Sequence, residues 1–331
     1  MDTPLRCRAR PRGSTYAGRV TRSPYALAAL ATAAIPGLDA RDVRPSALSG
    51  SDFDVAVVTD AERRRWVVRA PLHAGAGATL EAELALLEAL VPYTESGALP
   101  FDVPRVVGSA HLPEGGRAVV HPALRGSEVR LESLTGGPGL AAAIGRAIAA
   151  IHELPTSTVE DAGLPAYEAQ AYRERRQSEV DEAARTGKVP TVLLRRWEAR
   201  LEDVALWRFR PTVVHGDLTS SHVLTDGHLV TGVLGWGEAK VADPADDLAW
   251  LLVAAPSDAV DSITEAYQLR RTELKDPHLV ERALLAGELA LARWLLHGAR
   301  TGQDDVVDDA VEMLADLAEH VATEDGADTA D

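Results

Sequence analysis

The chain contains one cysteine, Cys7, which excludes an internal disulfide and a thiolate metal cluster. That usage fits a reducing, cytoplasmic setting. No apolar run is long enough to cross a bilayer: Ala26 to Ile35 falls well short of the ~20 residues a spanning helix needs. Positive charge is in the minority. Against 50 acidic side chains stand 34 basic ones, for a formal charge of −16. Such a surface repels phosphate backbones, which argues against a nucleic-acid partner, and it attracts cationic small molecules. A Gly-Lys-Ser/Thr phosphate loop is missing, and the histidines show no metalloprotease spacing. Gly75-Ala-Gly77 lacks the third glycine of a dinucleotide fingerprint, since Leu80 stands there. No internal repeat is visible.

What is present is ordinary globular composition over 331 residues, 46% hydrophobic and 25% charged. Residues 1–22 are basic, with Arg6, Arg8, Arg10, Arg12, Arg19 and Arg22 against Asp2 alone, and are expected as a disordered extension. Ser23 and Pro24 read as the cap and first turn of a helix reaching Ile35. Phe53 to Thr59 and Arg65 to Ala70 read as two strands around the polar turn Asp60 to Arg64. Leu80, Leu84, Leu87 and Leu90 give a helix, and Arg105 to Gly108 and Arg117 to His121 give short strands. After the break at Gly136 to Gly139 the pattern turns helical: Leu140, Ile144, Ile148 and Ile151 form one stripe. Two more helices are expected over Tyr167 to Arg185 and Val192 to Trp207. Short β runs occupy Thr212 to Val233, and helices resume from Asp246 to Val321. Trp197, Trp207, Trp250 and Trp294 fall in helical patterns and read as core residues. The expected architecture is α+β: an N-lobe over 23–122 with a small sheet, a mainly helical C-lobe over 123–322, and an acidic disordered tail over 323–331.

The informative stretch is Val213-Val-His-Gly-Asp-Leu-Thr-Ser-Ser-His-Val-Leu224. A buried β run delivers His215-Gly216-Asp217 into a loop, where the glycine permits close approach of a ligand. A second strand follows at once. This stretch, with Thr231 to Ala249, resembles the catalytic region of the aminoglycoside and macrolide phosphotransferases, relatives of protein kinases. Histidine at 222 is similar to the macrolide branch.

The resemblance implies a two-lobed kinase-like fold and transfer of a nucleotide γ-phosphoryl group, from ATP or GTP with Mg2+, to a hydroxyl of a small molecule such as a macrolide. Asp217 would be the catalytic carboxylate, and His215 would act with it by bracing the loop. His222 would take the metal position, although imidazole is a poor magnesium ligand. On Trp66-Val-Val-Arg-Ala70, Arg69 stands where the family has a phosphate-binding lysine, with Glu83 as its expected partner and Glu81 as second choice. Ser49-Gly50-Ser51 would form the loop over the phosphates.

The departure is Gly235. The family carries a metal-binding Asp at this position, between two apolar residues. Glu238 and Asp243 lie nearby, either as substitutes or as a surface carboxylate and a helix cap. Two readings follow: a working kinase whose metal site is altered, in which Gly235→Asp should raise activity, or a pseudokinase that binds a ligand without transfer.

Overall fold

In the computed structural model, which describes residues 22–46, 50, 52–272 and 275–328 (side chains through 323), the chain opens with helix α1, Pro24–Ala34. Ser23 Oγ accepts from the Ala26 N–H at 3.2 Å, and Pro24 presets the first turn. Strands β1 (Ala40–Pro45), β2 (Phe53–Asp60) and β3 (Arg65–Pro71) follow, then helix α2 (Ala74–Glu95), then β4 (Gly108–His111) and β5 (Arg117–Pro122). They form one antiparallel sheet in the order β1-β2-β3-β5-β4. The β2–β3 turn is fixed by Asp60. Its carboxylate accepts from the Arg64 N–H at 2.8 Å and from Trp66 Nε1 at 2.9 Å. Leu27 and Ala31 of α1 pack on Val58, Val68 and Val120 of the sheet.

Arg22, the last residue of the expected basic extension, belongs to this folded unit. It donates to Asp54 and to the Pro71 carbonyl and pairs with Glu114. Residues 1–21 lie outside the described residues, as do Ser49 and Ser51; Gly50 lies between β1 and β2 in sequence, and its N–H donates to the Phe53 carbonyl at 3.1 Å.

The remainder is mostly helical. Strand β6 (Ser127–Glu128) leads to α3 (Leu140–His152), α4 (Ser157–Glu160), α5 (Ala169–Arg185) and α6 (Thr191–Glu202). Four short strands come next: β7 (Thr212–Val214), β8 (Val223–Thr225), β9 (Val230–Val233) and β10 (Lys240–Ala242). β7 pairs with β10, and β6-β8-β9 form a second small sheet. Helices α7 (Ala249–Ala254), α8 (Ser257–Arg270), α9 (Leu279–Thr301) and α10 (Asp304–Asp328) close the chain.

Two cores hold this part together. Ile144, Ile148 and Ile151 of α3 meet Val213, Val233 and Ile263, and Leu86, Leu87 and Leu90 of α2 join the same cluster. Helix α2 therefore ties the sheet lobe to strands β7, β8 and β9. A second core gathers α5, α6, α9 and α10 around Trp197, Leu193 and Leu289.

Several expectations shift. The strand expected at Arg105 to Gly108 starts at Gly108 instead. Helix α6 ends at Glu202, so Trp207 lies beyond it, stacked edge-on with Phe209. Helix α10 runs to Asp328, well into the segment expected as a disordered tail. Trp197 and Trp207 are core residues, but Trp294 is exposed and donates to Asp309, and Trp250 lines a cavity. The amphipathic indole needs a partner for its N–H, and surface Asp309 supplies one for Trp294. Among the described residues no helix is long and apolar enough to cross a membrane.

Candidate active site

Strand β7 leads into His215-Gly216-Asp217, and a set of hydrogen bonds fixes that loop. Gly216 has φ +79°, and a Cβ there would lie 2.4 Å from both the Glu238 carbonyl oxygen and Lys240 Nζ, so glycine is required. The buried Asp247 carboxylate accepts from the His215 N–H at 2.7 Å and the Gly216 N–H at 2.8 Å. His152 Nε2 donates to the same carboxylate at 3.1 Å, and the Tyr267 hydroxyl donates to His152 Nδ1 at 2.8 Å. Burial works against the Asp247 charge, but the hydrogen bonds from His152 and the Gly216 N–H hold its carboxyl below the usual range.

His215 is fully buried. Its Nε2–H donates to the Leu234 carbonyl at 2.8 Å, and Nδ1 accepts from the Asp217 N–H at 3.3 Å. Both ring nitrogens are thus committed to the loop, and none is left to move a proton. Burial also pushes the imidazole below its ordinary value, so it stays neutral. Asp217, by contrast, has a half-exposed side chain, 52% accessible.

His222 donates from Nδ1 to the Asp217 carbonyl at 2.6 Å, which leaves Nε2 as the lone-pair nitrogen. That nitrogen faces Gly235. Gly235 is left-handed, φ +80° and ψ 41°, and a Cβ there would meet His222 Nε2 at 2.7 Å and Cε1 at 2.8 Å. The imidazole lies in the space that a side chain at 235 would enter.

On β3, Arg69 Nη1 donates to Glu83 Oε1 of α2 at 2.8 Å, and the guanidinium lies 4.6 Å over the Phe53 ring. Glu83 is fully buried, and its Oε2 has no hydrogen-bond partner. Glu81, the second choice, is held bidentately by Arg117 at 2.7 and 2.8 Å and does not reach Arg69. His121, at the end of β5, is pushed down to about 4 by burial.

Arg69, Glu83, Asp217, His222 and Gly235 all line one cavity of about 870 Å³ between the sheet and the β8–β9 strands. A second cavity, of about 750 Å³, opens in the helical part, bounded by α5, β10, α7 and α9. Asp217, Glu238, Gly237 and Thr79 border both.

Magnesium, which the fold family implies, takes several oxygen ligands. The residues here do not fit it. Among the described residues no three His, Cys, Asp or Glu side chains converge on a point. His222 brings one nitrogen, and Gly235 brings nothing. Glu238 is exposed at the cavity border. Asp243 is turned away: it caps the turn Pro244–Asp247 through the Ala245 N–H and pairs with buried Arg282 at 2.7 Å.

Sequence reading missed Asp247, whose role depends on contacts across more than thirty positions. The doubled Asp246-Asp247 was the signal available, but the sequence marks it only as the place where helices resume, with Asp243 as the cap. It also missed the second cavity, which four separate elements build.

These features have counterparts in known proteins. A family model described as the phosphotransferase enzyme family, APH, matches residues 43–285. The uncharacterized protein YcbJ of Bacillus subtilis (strain 168) is 27% identical over 215 residues, covering 60% of this chain and 66% of its own length. Among solved structures, the apoenzyme of a macrolide 2'-phosphotransferase from Brachybacterium faecium is 25% identical with a TM-score of 0.73, covering 88% of this chain and 98% of that one. A type I macrolide 2'-phosphotransferase is 27% identical, also at 0.73, with 89% and 98% covered. The GDP complex of an aminoglycoside 2'-phosphotransferase reaches 0.75 at 19% identity, covering 90% and 99%, a likeness of fold alone. The two-lobed architecture is that of these kinase-like enzymes. With the match extending from β1 into α9, through the Arg69 strand and the Asp217 loop, the chain belongs to the phosphotransferase enzyme family.

Proposed function

We propose that this chain transfers the γ-phosphoryl group of ATP or GTP to a hydroxyl of a small molecule. The observation that carries the reading is the position of Asp217 on the border of two cavities, one containing Arg69. In this reading the nucleotide lies in the first cavity, on residues 23–122, with its phosphates toward the Arg69 guanidinium. The acceptor lies in the second, within residues 123–322. Its hydroxyl oxygen bonds to the γ-phosphorus as the bond to the β–γ bridging oxygen breaks. Asp217 orients that hydroxyl and takes its proton, and the nucleoside diphosphate leaves. Such a reaction asks for positioning and charge neutralisation more than covalent chemistry. Glu83 holds Arg69, and Asp247 and His215 hold Asp217. The GDP-bound relative supports a nucleotide donor, and a macrolide acceptor would rest on His222 and the macrolide phosphotransferase neighbours alone, with no contact in the second cavity behind it.

The test is purified chain with ATP or GTP, with and without magnesium, against a panel of macrolides, aminoglycosides and other hydroxylated molecules. Mass spectrometry reads the phosphorylated acceptor. Product from the parent and a loss of at least about a hundredfold in Asp217→Asn, with unchanged circular dichroism, is expected. Nucleotide binding without product from any acceptor would favour the pseudokinase reading, which the glycine at 235 motivates.

A further inference from the structure

The inner wall of the second cavity offers a cation no free carboxylate. Its two inner carboxylates are already engaged. Asp246 accepts from Arg176 Nη2 at 2.9 and 3.0 Å and from the Tyr172 hydroxyl. Glu179 pairs with Arg176 at 2.9 Å and Arg175 at 3.4 Å. The third guanidinium of this wall, Arg293 on α9, is left over. Its Nη1 is buried and has no hydrogen-bond partner, and the nearest carboxylate oxygen, Glu179 Oε2, is 3.8 Å away. The side chain is still 39% accessible and lines the cavity. Burial, and then the charge of Arg176, push the Arg293 guanidinium below its ordinary value, as expected for a cation short of counter-charge. At the border Lys240 stands beside the exposed carboxylates Asp217 and Glu238, so the excess of positive charge lies at the inner wall. Lys240 Nζ donates to the Glu238 carbonyl, at 3.3 Å. At the inner wall three guanidinia, Arg175, Arg176 and Arg293, face the two carboxylates Asp246 and Glu179, a local excess of positive charge in a chain of net charge −16. The same cavity has an apolar side formed by Trp250, Val253 and Leu291.

We infer that the acceptor is a hydroxylated small molecule carrying an anionic group, which Arg293 receives, together with an apolar part, and not a cationic amine-bearing antibiotic. This rests on the phosphotransferase reading for its use of the word acceptor. The charge preference itself is a matter of binding, so it is tested without turnover. The probes are 4-nitrophenyl β-D-glucuronide, its neutral counterpart 4-nitrophenyl β-D-glucopyranoside, erythromycin and kanamycin. Each is titrated calorimetrically into the full chain. The glucuronide should bind about tenfold more tightly than the glucoside, the effect of one charge-assisted hydrogen bond. Arg293→Gln should erase that difference while leaving nucleotide affinity unchanged, and Arg293→Lys should keep most of it. Should Arg293→Gln fold poorly, raised salt on the parent serves instead, and the preference should shrink with ionic strength. Equal affinity for glucuronide and glucoside overturns the proposal. So does tighter binding of erythromycin or kanamycin, or no binding by any of the four. Failure of phosphoryl transfer to every acceptor, with the charge preference intact, would strike only the phosphotransferase reading.

Discussion

Asp247 lines neither cavity, yet the Asp217 loop depends on it. An aspartate can accept two backbone N–H bonds and a histidine N–H at once; an asparagine accepts with one oxygen and turns a donor toward the other N–H. Asp247→Asn should therefore lower kcat by about ten- to a hundredfold through loss of alignment. Nucleotide affinity, which the proposed function assigns to Arg69 and Glu83, should change by less than about threefold. Steady-state kinetics beside a nucleotide titration separate the two. The Gly235 position leads to a prediction that differs from the one its sequence suggests. An aspartate Cβ at 235 would press into the His222 ring at 2.7 Å, in a left-handed backbone. Gly235→Asp alone should cost about 1–3 kcal/mol of stability and not raise turnover. Combined with His222→Asn, which removes the ring, it should recover stability and tighten magnesium-dependent nucleotide binding. A single variant that melts like the parent and turns over faster would refute this packing argument. The family resemblance was enough to name Arg69, Glu83, Asp217 and His222, which the fold assembles around one cavity. It was silent on Asp247 and Arg293 because their roles come from contacts between distant segments, and a carboxylate or guanidinium in a helix pattern reads as surface.

At the scale of elements, the helix pair α3–α8 positions the Asp217 loop from behind. Helix α3 ends at His152, and α8 carries Tyr267, the two residues that reach Asp247 in relay. The pair packs closely at Gly145, where an added Cβ would lie 2.2 Å from the Ile263 carbonyl oxygen. Two effects compete in Gly145→Ala. Alanine is the better helix former by up to about 1 kcal/mol. Forcing a methyl against backbone costs about 1–3 kcal/mol, and here the obstacle cannot rotate away. Overpacking should win, so the melting temperature should fall, and turnover should fall with it as His152 shifts. A rise in melting temperature would mean that the helices can separate freely. The elements legible in the sequence were those with a strong local signal: the Ser23-Pro24 cap, the Asp60 turn and the Ile144–Ile148–Ile151 stripe. Strand β1 was not legible, because Ala40–Pro45 is an exposed, charged edge strand with no apolar alternation. Strand β10 has three residues, and only its pairing with β7 makes it a strand.

For the whole molecule, two buried neutral histidines make stability depend on pH in a definite direction. His121 is pushed down to about 4 by burial, and His215 is lowered for the same reason. In the unfolded chain both titrate near 6.5. Between 6.5 and the folded values, the unfolded chain therefore binds protons that the native state refuses, and stability falls as pH falls. For His121 alone the loss should reach about 2 kcal/mol at pH 5. Asp247 acts in the same sense at lower pH: its depressed carboxyl stabilises the fold above the unfolded value, and that contribution disappears as pH drops through the folded one. One opposing effect exists. The chain carries −16 at pH 7, and protonating exposed carboxylates relieves self-repulsion. That repulsion is spread over the surface and is screened within about 8 Å at physiological salt, whereas the burial cost of a histidine charge is not. Melts from pH 7 to pH 5 in 0.15 M salt, a concentration at which that screening of about 8 Å holds, should thus show a steady decline. Replacing His121 with glutamine, which has no proton to gain in this range, should flatten the decline even if it lowers stability at pH 7. Parallel pH profiles for parent and variant would show that the acid sensitivity arises elsewhere.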